Sequence, residues 1–387
     1  MLWRKKKRKQ AKEKKKVVFL PVPSEWEVIE NYYLYKPYAT AVIARSPEGG
    51  SHRYFLVEEK LNEKEEEVYT EIASLLEREF EAPTAVEDKM SYLEAQAKKI
   101  AKKYKIKISG GVDWQKVVYY LYRDLIGYGP IDGLMRDPNI EDISCDGVGK
   151  PIFIWHRRYE SIPTNIIFTD EDYLDDFIVK LAHRAGKHIS TAFPVVDAML
   201  EGKHRLSACY RREITPGGST FTIRKFRVEP FTIVELIENG TLNAEIAAYI
   251  WICLEHKYPV LIIGPTAAGK TTLLNAFACL IKPGLKVITV EETPELRLPH
   301  ENWVQLVSRP SYGLSGEGIS EISLFDLVKT SLRHRPDYLI VGEVRGKEAY
   351  VLIQSVATGH GGMTTFHAED VETAIKRLTQ KPLEIAP

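Results

Sequence analysis

The sequence has few cysteines and no long hydrophobic run, and these two absences exclude several classes of protein. Its four cysteines, Cys145, Cys209, Cys253 and Cys279, stand singly among 387 residues with no C-x-x-C pair. That spacing does not fit a zinc-binding motif or a disulfide framework, so we expect buried, reduced thiols and no zinc site. No apolar run approaches the roughly 20 residues that span a bilayer, and no signal peptide is recognisable, so we expect a cytoplasmic protein.

The formal net charge is zero, but the charge is unevenly distributed along the chain. Residues 1–16 hold ten Lys/Arg and one Glu, which leaves 43 basic against 52 acidic residues in the remainder. We expect this arm to be disordered, and each Lys or Arg near an anionic membrane contributes about 1 kcal/mol of attraction. We therefore expect residues 4–16 to hold the protein on the cytoplasmic face of a membrane. A solvated tail without a partner and, less favoured, nucleic-acid binding remain open.

The segment YPVLIIGPTAAGKTT contains the pattern G-x-x-x-x-G-K-[ST] between an apolar strand-like run and a helical run. In this pattern backbone N–H groups cradle phosphates, the lysine reaches the outer phosphates and the hydroxyl binds Mg²⁺. We therefore predict that the chain binds ATP and Mg²⁺, with Thr271 as a metal ligand. The residues expected around the nucleotide are Gly264, Pro265, Thr266, Ala267, Ala268, Gly269, Lys270, Thr271 and Thr272.

Acidic residues follow the next two apolar runs of this region. Glu291 and Glu292 end VITVEE, and Glu343 ends DYLIVGE. Strand-like and helical runs alternate here, which predicts a parallel sheet that binds ligands at the carboxyl ends of its strands. We therefore expect these acids to converge on the γ-phosphate, with Glu343 serving the metal ion or the attacking water. Glu291 and Glu292 should point to opposite sides of an extended chain, and the sequence does not distinguish their roles.

Two histidines bracket a further strand-like run within TGHGGMTTFHAED. His360 precedes the run and His367 ends it. A lone histidine is usually structural, but two histidines that bracket a strand next to the phosphate-loop site favour a sensor role for the one at its end. We therefore predict that His367 acts as a sensor.

Local patterns also predict elements before the phosphate loop. Residues 39–44 and 53–58 are typical of a β-hairpin, two amphipathic helices follow over 68–80 and 93–104, and 17–37 is expected to be irregular. Later strand-like runs around one amphipathic helix indicate a curved antiparallel sheet. The predicted organisation is a basic arm (1–16), a small mixed domain (17–107), an α+β middle domain (108–227), a hinge (228–240) and an α/β ATPase domain (241–387).

Four stretches together resemble the motifs of the secretion-superfamily ATPases. GPTAAGKTT, EETPELRLPHENW, RPDYLIVGEVRG and TGHGGMTTFHAED are similar to their Walker A, aspartate, Walker B and histidine boxes. These hexameric motors drive type II and type IV secretion, type IV pilus assembly and archaellum rotation. The form TPELRLPHENW and the segment GYGPID are most similar to archaeal members. The resemblance covers about residues 110–387 well and the first hundred residues loosely.

The resemblance implies a RecA-like ATPase domain, a homohexamer and a polytopic membrane platform protein as partner. It also implies roles for single residues: Glu291 would position water, Glu343 would act with Mg²⁺, and His367 would be the histidine that names the last box. The middle domain would supply arginine fingers to the nucleotide, and the candidates are Arg211, Arg212 and Arg224. An ordinary salt-bridge role for each arginine remains open.

The chain departs from the family pattern in three places. Glu291-Glu292 replaces the usual Glu-Asp, the tetracysteine zinc motif of bacterial assembly relatives is missing, and the sequence ends at Pro387, where relatives continue with further helices. Either the ATPase domain is truncated or this member lacks the terminal lobe. Two other functions stay open beside the motor: a nucleic-acid translocase, and an ATP-gated scaffold that does not hydrolyse ATP.

Overall fold

The computed structural model describes residues 16–79, 88–108, 110–226, 229–266, 268–309 and 321–380. Most of the predicted basic arm, the first residue of the predicted hinge and Ala267 of the phosphate loop lie outside these ranges. Contacts group the chain into two compact units, Met1–Phe226 and Arg227–Pro387. None of the helices in the described ranges is long and apolar enough to cross a lipid bilayer.

The first unit is built on a ten-stranded sheet. Its strands are β1 (Val17–Phe19), β2 (Glu27–Tyr35), β3 (Ala39–Arg45), β4 (His52–Glu58), β5 (Ile140–Cys145), β6 (Pro151–His156), β7 (Glu160–Phe168), β8 (Val195–Met199), β9 (Arg205–Cys209) and β10 (Thr220–Arg224). The α-helices in its described residues are α1 (Glu63–Glu79), α2 (Lys89–Lys103), α3 (Trp114–Leu121), α4 (Asp132–Arg136) and α5 (Glu171–Arg184). A π-helical segment, Tyr122–Ile126, continues α3.

The strand order is β2-β3-β4-β7-β6-β5-β10-β9-β8, with β1 also paired to β7. The predicted hairpin is confirmed as the antiparallel pair β3–β4. The expectation that 17–37 is irregular was wrong, because this stretch holds β1 and β2. A single parallel pair, Tyr54 opposite Thr164, joins β4 to β7. This pair places strands of the predicted small domain and of the predicted middle domain in one sheet within one unit.

Local capping and apolar spacing explain where the helices of the first unit lie. Asp88, Asp113 and Asp170 accept backbone N–H bonds at the amino ends of α2, α3 and α5, which satisfies donors that a helix start leaves unpaired. Helices α1, α2 and α3 share one apolar cluster, whereas α5 packs on the sheet. The expectation of buried thiols holds for Cys145 but was wrong for the other three cysteines, which are partly exposed.

The second unit is an α/β unit with a five-stranded sheet. Its strands are β11 (Val260–Gly264), β12 (Val287–Glu291), β13 (Trp303–Val307), β14 (Tyr338–Glu343) and β15 (Gly361–His367). The α-helices in its described residues are α6 (Ile233–Glu238), α7 (Ala244–Glu255), α8 (Lys270–Ala278), α9 (Leu324–Ser331), α10 (Glu348–Ala357) and α11 (Val371–Thr379). The sequence did not predict β13 or α7.

The sheet of the second unit has the order β11-β15-β14-β12-β13, and all its neighbouring strands pair in parallel. The predicted parallel sheet is therefore confirmed. Alternate residues of β14 enter two different apolar clusters: Leu339 and Val341 pack with α9, α10 and α11, whereas Tyr338 and Ile340 pack with α7 and α8. Helices thus cover both faces of the sheet, as a fully buried parallel sheet requires. Polar groups can therefore lie at the ends of the strands, which the helices do not cover.

Candidate functional site

The phosphate-loop pattern occupies the turn between β11 and α8. β11 ends at Gly264 and α8 begins at Lys270. Gly269, immediately before the helix, has a φ of 84°, a left-handed conformation that strains residues with a side chain. The first N–H groups of α8 are free of intrahelical bonds and form a site for anions. Ala267 lies outside the described residues.

Three neighbouring strands end beside this loop. Gly264 pairs with His367 across β11 and β15, and Glu343 pairs with Thr365 across β14 and β15. A register shift between Val341 and Glu343 makes a bulge in β14. Bulges redirect side chains at the ends of strands, and this one occurs at the acid that the sequence assigned to the metal ion or the water.

The side chains of Lys270, His367 and Glu343 form a continuous chain of contacts. The Lys270 ammonium donates to Pro265 O at 2.7 Å and lies 3.4 Å from His367 Nδ1. Across the ring, His367 Nε2 lies 2.7 Å from Glu343 Oε1. Because an ammonium only donates, a bond to Nδ1 requires the imidazole proton to sit on Nε2, facing the carboxylate. The structure thus brings together three of the residues that the sequence singled out.

The two oxygens of Glu343 have different surroundings. Oε1 is buried and has no aligned hydrogen bond, although His367 Nε2 lies 2.7 Å away. Oε2 accepts from Arg345 at 2.7 Å. Arg345 also lies 3.8 Å from Glu292, and Glu348 accepts the backbone N–H of Arg345 at 2.7 Å. The sequence analysis did not predict a role for Arg345. Its position two residues after an acid at the end of a strand could have indicated one.

The two adjacent glutamates differ sharply in environment. Glu291 is only 3% exposed, and its carboxylate accepts the backbone N–H groups of Glu295 and Leu296 at 2.8 Å each and the Gln305 side chain at 2.9 Å. Burial raises the pKa of Glu291, while these three bonds lower it by a smaller amount. The Glu292 side chain is exposed and faces Arg345. Burial distinguishes the two acids, and a single sequence does not show which of them is buried.

The other predicted residues lie elsewhere. Arg211 and Arg212 belong to the first unit, where Arg211 pairs with Asp175 and Arg212 pairs with Glu171 at 2.9 Å in each case. Arg224 ends β10 of the same unit. His360 precedes β15, at the opposite end of that strand from His367, and its Nδ1 lies 3.1 Å from the Ser355 carbonyl.

The residues present fit a magnesium ion that is held together with a nucleotide. Thr271 supplies a hydroxyl on the first turn of α8, and Glu343 supplies a carboxylate whose Oε1 is buried without an aligned hydrogen bond. Among the described residues no group of three or more His, Cys, Asp or Glu could hold a metal ion alone. Mg²⁺ beside a nucleotide needs only one or two protein ligands, because phosphate oxygens and waters complete its shell.

Comparisons with known proteins identify a matching family and several similar proteins. A family model described as "Type II/IV secretion system protein" matches residues 160–384, more than half of the chain. An uncharacterized protein of Methanocaldococcus jannaschii is 43% identical over 270 residues, which cover 70% of this chain and 48% of that protein. Protein VirB11 of Rhizobium radiobacter is 26% identical over 275 residues, which cover 64% of this chain and 78% of VirB11. Among solved structures, the Legionella pneumophila ATPase DotB is 21% identical with a TM-score of 0.48, over 63% of this chain and 66% of that chain.

This chain covers only part of the length of the M. jannaschii proteins that it matches. The chain spans between 33% and 55% of the lengths of three similar M. jannaschii proteins. The family match, by contrast, includes the phosphate loop and all the strand-end residues of the second unit. Sequence similarity and site geometry therefore concern the same part of the molecule.

Proposed function

The chain belongs to the type II/IV secretion system protein family, and we propose that it hydrolyses ATP as the motor of a secretion or appendage system. The family match confirms the resemblance inferred from the four motifs. The observation that carries the proposal is the unbroken series of contacts from Lys270 through His367 to Glu343 at the carboxyl edge of a parallel sheet. ATP hydrolysis needs charge neutralisation and a positioned water, and this series offers a residue for each task.

Lys270 is the residue that would hold the outer phosphates. Its ammonium donates to the carbonyl of Pro265, and an anionic phosphate oxygen is a stronger acceptor than a peptide carbonyl. We expect the ammonium to exchange the carbonyl for a phosphate when ATP binds. The partial positive charge at the start of α8 acts on the same phosphates. Mg²⁺, held by Thr271 and Glu343, would add further positive charge there.

Glu343 is the residue that would orient the attacking water. Its Oε1 is buried without an aligned donor, and a carboxylate oxygen in that position can accept a hydrogen bond from water. His367 contacts both Glu343 and Lys270. A movement of the lysine towards a phosphate would therefore change the contact that the ring makes with the acid, which supports the sensor role of His367. Glu291, which ends the neighbouring strand β12, is proposed as the second water-positioning acid.

The remaining parts of the motor proposal come from the family resemblance. We propose a homohexamer on the cytoplasmic face of a membrane, acting on a polytopic platform protein of a type IV pilus, archaellum or type II secretion-like system. Arg211, Arg212 and Arg224 are the proposed arginine fingers. The exposure of Arg212 supports this role, because its side chain is 67% exposed in its pair with Glu171 and exposed ion pairs are weak enough to exchange partners.

Phosphate release from ATP with Mg²⁺ tests the enzymatic proposal. We expect the full chain to turn ATP over and Lys270→Ala to lower the rate by about 100-fold or more, since it removes a charge that acts on the reacting phosphates. Lys282→Ala is the control, because Lys282 is an exposed lysine of the same unit, and it should keep the wild-type rate. Wild-type turnover by Lys270→Ala would contradict the site assignment.

Adding membranes or nucleic acid to the same assay tests the partner. We expect vesicles with anionic headgroups to stimulate turnover, and a variant with Lys5, Lys6 and Lys7 changed to Gln to lose that stimulation. Stimulation by duplex DNA that falls steeply with salt would instead support a translocase. Light scattering with a bound ATP analogue should give the mass of six 44.1 kDa chains.

A further inference from the structure

Gln305 lies in the middle of β13, the edge strand beside β12. Its side-chain amide donates to Glu291 Oε2 at 2.9 Å and to the Leu296 carbonyl at 3.3 Å. The other oxygen of Glu291 accepts two backbone N–H groups of the segment that follows β12. One side chain of β13 therefore contacts both the candidate acid and the segment that the acid itself binds.

The same segment is attached to the helix that carries the phosphate loop. Asn275, a buried residue of α8, accepts the backbone N–H of Arg297 at 2.8 Å. The His300 ring lies 2.8 Å from the carbonyl of Ile281, just beyond α8. The residues that follow Glu291 are thus fixed to the phosphate-loop helix on one side and to β13 on the other.

These bonds leave little freedom to the Glu291 carboxylate. A carboxylate has about four acceptor positions on its two oxygens, and three are used by Glu295 N, Leu296 N and Gln305 Nε2. Counting only bonds from the described residues, both positions on Oε1 are occupied, so the remaining one is on Oε2, the oxygen that Gln305 contacts. The amide of Gln305 consequently determines which direction that last position faces.

We propose that Gln305 is a positioning residue for ATP hydrolysis, which acts by fixing the orientation of the Glu291 carboxylate. The inference rests on the proposed function, in which Glu291 positions the attacking water. Gln305 would set the direction of the acceptor position on Glu291 Oε2 that accepts this water. Gln305 is thus assigned an action through Glu291 and not on the nucleotide itself. Its loss should lower turnover by changing the geometry of Glu291 and should leave ATP binding, which depends on the loop around Lys270, unaffected.

Gln305→Met tests this assignment, because methionine has a similar length and no N–H donor. Trp303→Phe is a matched control: Trp303 lies on the same strand and donates to Thr289 of the same neighbouring strand at 3.0 Å, two residues before Glu291. We expect both variants to lose similar thermal stability. Gln305→Met should lower kcat by about tenfold or more, the usual effect of removing a partner that orients an active side chain, with KM for ATP within about twofold. Trp303→Phe should keep kcat.

A swap of the two side chains tests whether the carboxylate must lie at position 291. In the double variant Glu291→Gln, Gln305→Glu, the new amide at 291 still accepts the two backbone N–H groups and donates to the new carboxylate at 305. The hydrogen bond between positions 291 and 305 forms again, but the negative charge now lies on β13 instead of β12. We expect the swap to recover part of the stability lost in Gln305→Met, since the Leu296 carbonyl still lacks its donor, and to keep the low kcat.

Two results would overturn the inference: equal kcat for Gln305→Met and Trp303→Phe, or full kcat in the swap variant. Either result, obtained with an active wild type, rejects the role of Gln305 and leaves the proposed ATP hydrolysis standing. Absence of phosphate release from the wild-type chain itself would reject both. If Gln305→Met does not fold, Gln305→Asn takes its place in the same comparison, because asparagine keeps the amide but draws it back from Glu291.

Discussion

The two units of this chain use charged side chains in opposite ways. In the first unit, several pairs of charged and polar groups are buried separately from one another. Arg123 bonds the buried carboxylate of Glu58 at 2.6 Å, and the fully buried Asp137 accepts the hydroxyls of Tyr32 at 2.6 Å and Tyr54 at 2.7 Å. Such pairs add little net stability, but removing one partner is costly because the other remains buried alone.

In the second unit one cluster of charged groups gathers at the carboxyl edge of the sheet. Lys270, His367, Glu343 and Arg345 follow one another in contact at the ends of three neighbouring strands. One carboxylate oxygen there, Oε1 of Glu343, is buried without an aligned hydrogen bond. Charged groups that are paired one to one usually stabilise a fold. A cluster at strand ends that includes an unpaired polar atom is typical of a ligand-binding site.

The largest expected effect is on the stability of the first unit. Arg123→Met leaves Glu58 buried with one fewer partner, so we expect the free energy of unfolding to fall by about 3 kcal/mol or more. Chemical denaturation of the full chain measures this loss. Arg45→Met is the control, because Arg45 and Glu27 form an exposed pair that contributes at most about 1 kcal/mol. Equal losses in the two variants would contradict the contrast between the units.

The second effect separates activity from stability. His367→Ala removes the ring between Lys270 and Glu343, so we expect kcat to fall by about 10- to 100-fold, as when a group that orients an active residue is lost. The thermal unfolding temperature should change little, because the His367 side chain is 31% exposed. Phosphate release and calorimetry on the same sample measure both quantities. A variant that unfolds more easily and keeps its kcat would show that His367 is merely structural.

A pH effect on stability is expected from one buried lysine of the first unit. Burial lowers the pKa of Lys225 from 10.5 to about 8, and its ammonium donates to the carbonyls of Leu134 and Asp137. Between these two pKa values the unfolded chain binds more protons than the folded chain, so stability rises with pH. We expect wild type to gain about 1.4 kcal/mol between about pH 7 and 9 relative to Lys225→Met. Parallel pH curves for the two proteins would refute this.

The smallest expected effect is a helix cap of the second unit that lies outside the site. Ser323 accepts the N–H of Asp326 at 3.2 Å, and Asp326 in turn accepts the backbone N–H of Ser323 at the start of α9. Ser323→Ala should cost about 1 kcal/mol of stability without changing kcat. Denaturation and phosphate release check both expectations, and a loss of turnover would mean that the site extends further than its contacts indicate.

Much of the second unit could be predicted because its signals are local. The phosphate-loop pattern, the alternation of strand-like and helical runs and the acid at the end of β14 are each visible within about fifteen residues, and the structure brings Lys270, His367 and Glu343 together as expected. Parallel order follows from the alternation, because crossover helices force parallel pairing.

What could not be predicted depends on contacts between distant residues. The pairing of Tyr54 with Thr164 joins stretches that read as separate domains. The short strand β13 has no clear alternation of apolar and polar residues, so the sequence predicted neither the strand nor the contact of Gln305 with Glu291. Burial distinguishes Glu291 from Glu292, and a sequence does not show which of two adjacent acids is buried.

The most direct test of the central claim, that the second unit holds a hydrolytic site, is the comparison of ATP binding and phosphate release for wild type and Glu343→Gln. The amide keeps the size of the side chain but removes its charge, so we expect ATP affinity within about threefold and phosphate release slower by about 100-fold or more. Equal rates of phosphate release, or no release from the wild-type chain, would contradict the account.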